Sequence, residues 1–309
     1  MRTTEPTIHR AAAALLALSL SACSSTRPVE DVLAEPPGAP STNGTSVEAP
    51  SLAAPEVPPS RKELAVLAEE RLARAADRSR AVLAAARAEG AGPDALVEAA
   101  RSLVLDADLR IQAALALRSD PADLPSTRRL IDAEDDVGSR LKSEVRSLAA
   151  ASRDLADRAL ELRRDDPEAR LYSALGRALV AWSLPPLQAL TGGGAASLPG
   201  TIETLANDHP DLASASPMRL RGRFQSRAPW PYTDRKAGVE ALEAACRSAP
   251  IPLNLLFLGD AYWLVGREAE ALDAWERATA ARANVEMRDA AVFQRELARL
   301  RIRSARTDD

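Results

Sequence analysis

The chain has 309 residues and a formal net charge of −4, with 40 basic against 44 acidic side chains. That balance gives no general attraction to nucleic acid, and two cysteines and two histidines argue against a disulfide framework, a histidine metal site or a multi-histidine mechanism. Apolar residues make up 46% but aromatics only 3%, so a core has to be built mostly from Ala, Leu and Val.

Residues 1–22 read as an export signal. Arg2 and Arg10 give a basic start, and Ala11 to Leu20 form an apolar run. Ten residues are too few to span a bilayer, which needs roughly 20, and they fit a cleaved signal peptide. Leu20-Ser21-Ala22-Cys23 resembles a bacterial lipobox: an aliphatic residue, two small ones, then cysteine. The resemblance implies that Cys23 becomes the lipidated N-terminus of a mature chain with net charge −5. Each buried lipid methylene contributes about 0.8 kcal/mol, so several acyl chains hold firmly. Ser24 and Ser25 follow, with no Asp at the retention position, which in an enterobacterial-type system implies the outer membrane.

Residues 23–59 read as a lipidated tether. Positions 24–59 hold 8 of the 22 prolines and no aromatic residue, and such a composition buries too little apolar surface to offset ordering entropy. Ser60-Arg61-Lys62-Glu63 is a capping box, after which apolar residues recur at helical spacing to about Glu89. Gly90-Ala91-Gly92-Pro93 ends that pattern. Asp94 to Leu117 repeats it, up to Asp120-Pro121. Ser126 to Arg164 predicts one long or two shorter helices, with a break at Gly138. No stretch alternates with period two for long enough to predict a strand, so the expected class is all-α. Residues 60–165 are expected to form long Ala/Leu-rich helices packed side by side.

All ten aromatics lie between Tyr172 and Phe293, and residues 166–309 are patterned differently. Asp166-Pro167 is an N-cap followed by a first-turn proline, and Gly176 follows nine residues later. Pro250 leads in the same way to Gly259. Leu255, Leu258, Gly259, Tyr262, Gly266, Ala271, Trp275 and Ala278 resemble the tetratricopeptide repeat position by position. That resemblance implies two antiparallel helices, with Gly259 and Ala271 at their contact, Gly266 in the turn and Trp275 filling the gap beside them. Ala283 stands where the family's closing proline would fall. A weaker copy runs through Gly222, Gly238, Leu242 and Ala245 to Pro250. The implied architecture is a solenoid of helix pairs.

The loop Arg227-Ala228-Pro229-Trp230-Pro231-Tyr232-Thr233-Asp234, with Pro250 to Asn254 and the segment near Gly192, is similar to helical lipoproteins related to the T-component of TRAP transporters. Those are divergent tetratricopeptide-like proteins of the periplasm, and the likeness covers roughly residues 150–283. It implies a transport accessory that hands a small ligand to a binding protein.

Trp230 and Tyr232, stiffened by prolines and flanked by Arg223 and Arg227, form a candidate partner-binding loop. The competing reading folds Trp230 back as a plug on the neighbouring helices. Gly192-Gly193-Gly194 lacks the Lys-Ser or Lys-Thr of a phosphate loop and reads as a connection. The acidic run Asp132, Glu134, Asp135, Asp136 lacks calcium-loop spacing and reads as a solvated face or turn. Cys246 reads as a buried free thiol and His209 as a turn residue. No catalytic residue, cofactor or metal is implied. The function expected is an envelope lipoprotein, anchored through Cys23, that binds another periplasmic or envelope protein. A shallow open groove would favour that reading, and a deep apolar cavity the small-ligand one.

Overall fold

A computed structural model describes residues 58–120, 123–185, 188–189, 197–228 and 232–308. The lipobox, the tether up to residue 57, Gly192 to Gly194 and Trp230 lie outside the described residues. Among those described there are helices and no strand, as the absence of period-two alternation predicts.

Helix α1 (Arg61–Arg87) begins at the expected capping box. Ser60 N donates to Glu63 Oε2 at 2.7 Å and Glu63 N to Ser60 Oγ at 3.3 Å. Ser60 Oγ also donates to Glu63 Oε2 at 2.7 Å, and this bond, with that from Ser60 N, holds the Glu63 carboxyl below its ordinary range. Gly90, at φ +78°, makes the turn into α2 (Pro93–Arg118). The 126–164 pattern resolves into separate pieces broken at Gly138: α3 (Thr127–Asp132), a 3-10 turn (Ala133–Asp136) and α4 (Ser139–Leu162).

Helix α5 (Pro167–Ser183) is capped by Asp166, whose Oδ1 accepts from Ala169 N at 3.0 Å. Then come α6 (Leu198–Asp208), α7 (Leu212–Arg227), α8 (Arg235–Ser248), α9 (Pro252–Leu264), α10 (Glu268–Ala280) and α11 (Arg288–Asp308).

Small residues govern the packing of the first helices. Ala99, Ala100, Ala107, Ala149, Ala156 and Ala159 are essentially inaccessible, and Ser152 Oγ donates to Ala100 O at 2.8 Å across the α2–α4 contact. Alanine lets backbones come close enough for such a bond, and dense contact replaces the bulk that aromatics would bring.

The expected boundary at 165/166 is not a packing boundary. Helices α4 and α5 pack along their lengths. A Cβ on Gly176 would lie 2.8 Å from Ala149 O, so this glycine serves contact with the preceding helix rather than with a following partner. One core cluster joins Leu64 of α1 and Ile111 of α2 to Leu255, Trp275 and Leu300 of α9, α10 and α11. The described residues from Pro58 to Asp308 form one compact unit.

Helix α11 closes it by running alongside α2 in the same direction. Arg101 pairs with Glu286 at 2.8 Å near one end. At the other, Ser304 Oγ donates to Pro125 O at 2.7 Å, and Thr127 N donates to Asp308 Oδ2 at 2.8 Å.

The two helix pairs read from the sequence are present. Helices α7 and α8 meet at Gly222 and Gly238, where a Cβ on Gly222 would lie 2.8 Å from Gly238 O. Helices α9 and α10 meet at Gly259, turning through Gly266 at φ +78°. Ala271, Trp275 and Ala278 are fully buried. One detail differs: Gly259 faces the Trp275 indole directly rather than Ala271, so the tryptophan is the contact itself. Tyr262 is only half-buried, and its hydroxyl donates to Glu243 Oε1 of α8 at 2.8 Å, tying the two pairs together.

Candidate functional site

Helix α7 carries Arg219, Arg223 and Arg227 at spacing four, so they share one face. Arg227 donates to Ile131 O at 3.0 Å and to Asp135 Oδ2 at 2.7 Å. Arg223 donates to Glu134, lies 4.3 Å above the Phe257 ring, and has Nη1 3.6 Å from Asp260 Oδ2. The Arg223 and Arg227 side chains are only 17% and 15% exposed, respectively. The two arginines proposed from the sequence to meet a partner therefore hold the acidic 3-10 turn against α7. Only part of that turn is solvated: Asp135 and Asp136 are exposed, but Glu134 turns inward. Burial pushes the Glu134 carboxyl up, and the charges of Arg223 and Arg227 outweigh it, leaving the group below its ordinary range.

Tyr232 is half-buried, with its ring 6.0 Å from that of Phe224. Thr233 Oγ1 donates to Ala228 O, closing the base of the loop that carries Trp230.

Two buried groups escaped the sequence reading. Asp260 follows Gly259 inside α9 and is wholly inaccessible. It accepts from Trp275 Nε1 at 3.2 Å and from Arg301 at 3.0 Å, and this indole and guanidinium satisfy it in place of water. Arg219, 7% exposed, donates to Asn254 Oδ1 at 2.7 Å and to Ser214 O at 3.3 Å. No carboxylate among the described residues comes within ion-pair distance of it. Burial pulls its guanidinium down to about 10, against the opposing charge of Asp108. Asp108 is pushed up by burial, opposed by the Gln112 amide and then by Arg219.

Arg219 and Asn254 brace an unusual backbone. Ala213, Ser214 and Ala215 have φ of 47°, 57° and 59°, a left-handed turn made without glycine. Such residues cost roughly 1–2 kcal/mol each and need surrounding contacts to persist. Asn254 Nδ2 donates to Ser214 O at 3.2 Å, and Asn284 Nδ2 to Ser214 Oγ at 2.7 Å. Cys246 is buried, as expected, and burial pushes its thiol up to about 12, which keeps it a poor nucleophile.

The open feature lies elsewhere. A cleft of about 380 Å³ is lined by Arg74 and Arg78 of α1, Arg101 and Leu105 of α2, Val285 in the segment before α11, and Arg288 at the start of α11. Asp289 lies 3.5 Å from Arg74 and 2.9 Å from Arg78. Below it a recess of about 20 Å³ reaches Asp106 and Asp108, room for about one water. The only trace in the sequence is the spacing of Arg74 and Arg78. That Arg288 shares a cleft with them is a consequence of α11 docking on α1 and α2. Among the described residues no group of three or more potential ligands could hold a metal ion, and no helix is long and apolar enough to cross a membrane. Compared with models of known families and with curated proteins, the chain matches none, so its resemblances rest on the residues named above.

Proposed function

We propose that this chain is a lipid-anchored helical-repeat protein of the cell envelope that holds a partner protein in the cleft between α1, α2 and α11. The lipobox at Cys23 supports the anchor, on the outer membrane by the sorting argument. The glycine-centred pairs α7–α8 and α9–α10 support a tetratricopeptide-like ancestry, with α11 folding back as a closing helix. The observation that carries the reading is the cleft itself: wide, open, lined by charge and edged by Val285, which is 77% exposed. Handing on a small ligand, as the T-component likeness implies, asks for an enclosed apolar hollow. The recess beside the cleft has room for about one water, and its lining mixes Leu105, Leu109 and Met287 with Asp106 and Asp108, so it is too small to be such a hollow.

Photo-cross-linking in cells tests this. A benzoyl-phenylalanine replacing Val285 should give a discrete protein adduct. The same group at Leu162, 61% exposed at the end of α4, should give none. Absence of an adduct from Val285, or the same adduct from Leu162, would overturn the proposal.

A further inference from the structure

The left-handed turn that opens α7 and the edge of the cleft are tied by one side chain, and we infer that the two release and re-form as a unit through Asn284. The amide of Asn284 is engaged at both ends. Its Oδ1 accepts from Met287 N at 2.8 Å, at the start of α11. Its Nδ2 donates to Ser214 Oγ at 2.7 Å, seventy residues earlier. Residues 282–286 donate no hydrogen bond to another backbone group, and Val285 in their midst is 77% exposed. Side-chain contacts hold this segment in place, among them Glu286 on Arg101 at 2.8 Å and Asn284 on Ser214.

At the Ser214 end of the bond the backbone is strained. Ala213, Ser214 and Ala215 all have positive φ, a conformation that residues other than glycine keep only when their surroundings hold them. Ser216 Oγ donates to Ala213 O and Arg219 to Ser214 O, both from within α7, and Asn254 braces Ser214 O from α9. None of those three belongs to the cleft edge; Asn284 does. A strained turn stands nearer its open state than a relaxed one, and folded proteins open locally in contiguous cooperative units. Here the unit is the turn 213–215 together with the segment 281–287.

On the protein-partner reading, on which this step rests, an occupant that fixes Val285 and Glu286 of the cleft lining also fixes Asn284 and the turn behind it. The turn sets the start of α7, the helix whose Arg223 and Arg227 hold the acidic 3-10 turn. Linkage is reciprocal, so whatever steadies the turn also steadies the cleft edge.

Amide hydrogen exchange on the full chain, with no partner present, tests this. The Met287 amide reports the cleft edge, and the Arg163 amide, bonded to Ala159 O at the end of α4, is the control. Ser214→Ala removes only the hydroxyl that Asn284 holds and should speed exchange at Met287 by about two- to tenfold. Ala213→Gly relieves the strain and should slow it by about two- to fivefold. In the Ser214→Ala background, Ala213→Gly should no longer act on Met287, because the joint is gone. Arg163 should be indifferent to all three. Wild-type exchange at Met287 in Ser214→Ala, or an equal effect of Ala213→Gly in both backgrounds, would overturn the inference; the second result would mean that Met287 exchanges only by global unfolding. The partner reading fails separately. No adduct at Val285 would remove the occupant and leave the joint, and an indifferent Met287 would remove the joint whatever Val285 captures.

Discussion

The indole of Trp275 lies against the bare Cα of Gly259, so close that a single added Cβ would overlap the ring. The same indole donates to Asp260, the residue after that glycine. One tryptophan thus sets both the spacing of α9 and α10 and part of the solvation of the carboxylate buried between them.

Gly259→Leu should destabilise by about 1–3 kcal/mol or more, because the atoms it meets belong to a ring with nowhere to move. Trp275→Ala should cost roughly 3–5 kcal/mol by leaving a hole. The double variant should cost less than the sum, since leucine then occupies space the indole has left. Denaturant unfolding of the three proteins measures this; strict additivity would show that the two residues do not share the contact.

Asp260 and Arg301 form a pair excluded from water. Asp260→Leu alone should cost about 3–5 kcal/mol by stranding the Arg301 charge, whereas Asp260→Leu with Arg301→Met should recover much of that loss. Thermal melts of both proteins check it, and a double variant less stable than the single would contradict the account.

Two carboxyls should give pH dependences of opposite sign. Glu134 is held below its ordinary range when folded. Its contribution is present above the unfolded value of about 4.3 and is lost as pH falls through the lower folded value. Asp108 is held above its ordinary range, so its ionisation opposes folding above the unfolded value of about 3.9, and that penalty disappears as pH falls. Glu134→Gln should lower the melting temperature at neutral pH, and Asp108→Asn should raise it. Both differences should vanish in strong acid, as melts across the pH range would record.

Replacing Ala213 by glycine should stabilise by roughly 0.5–1 kcal/mol, because φ is +47° there and a Cβ is strained. The same change at exposed Ala84 in α1 should instead cost about 1 kcal/mol, the ordinary price of glycine in a helix. Opposite shifts in melting temperature would identify the left-handed turn; equal losses would contradict it.

The anchor is tested by fractionation. Cys23→Ala should move the chain out of the membrane fraction, and a variant that still sediments with membranes as wild type does would refute lipid attachment.

Much of the helical layout was legible because its determinants are local. Ser60 with Glu63, Asp166 with Pro167, and Gly90 act within one turn, so their residue types are sufficient evidence. The contacts at Gly222 and Gly259 were readable for a related reason: within a hairpin of short helices, spacing alone places a glycine opposite its partner. Arg223 and Arg227 show where that reach stops. Two arginines beside a Pro-Trp-Pro loop look available to a partner, yet their counter-charges, Glu134, Asp132 and Asp135, lie some ninety residues earlier.

The sequence by itself determined the all-helical class, the helix ends, the two glycine-centred pairs and the buried state of Cys246, since periodicity, caps and small-residue spacing act over one or two turns. Only the tertiary structure decided that residues 60–165 and 166–309 share one core, that α11 lies along α2, and that Asp289 meets Arg74 and Arg78. These depend on which apolar faces find each other across more than a hundred residues, and an Ala/Leu-rich face has no shape distinctive enough to name its partner in advance.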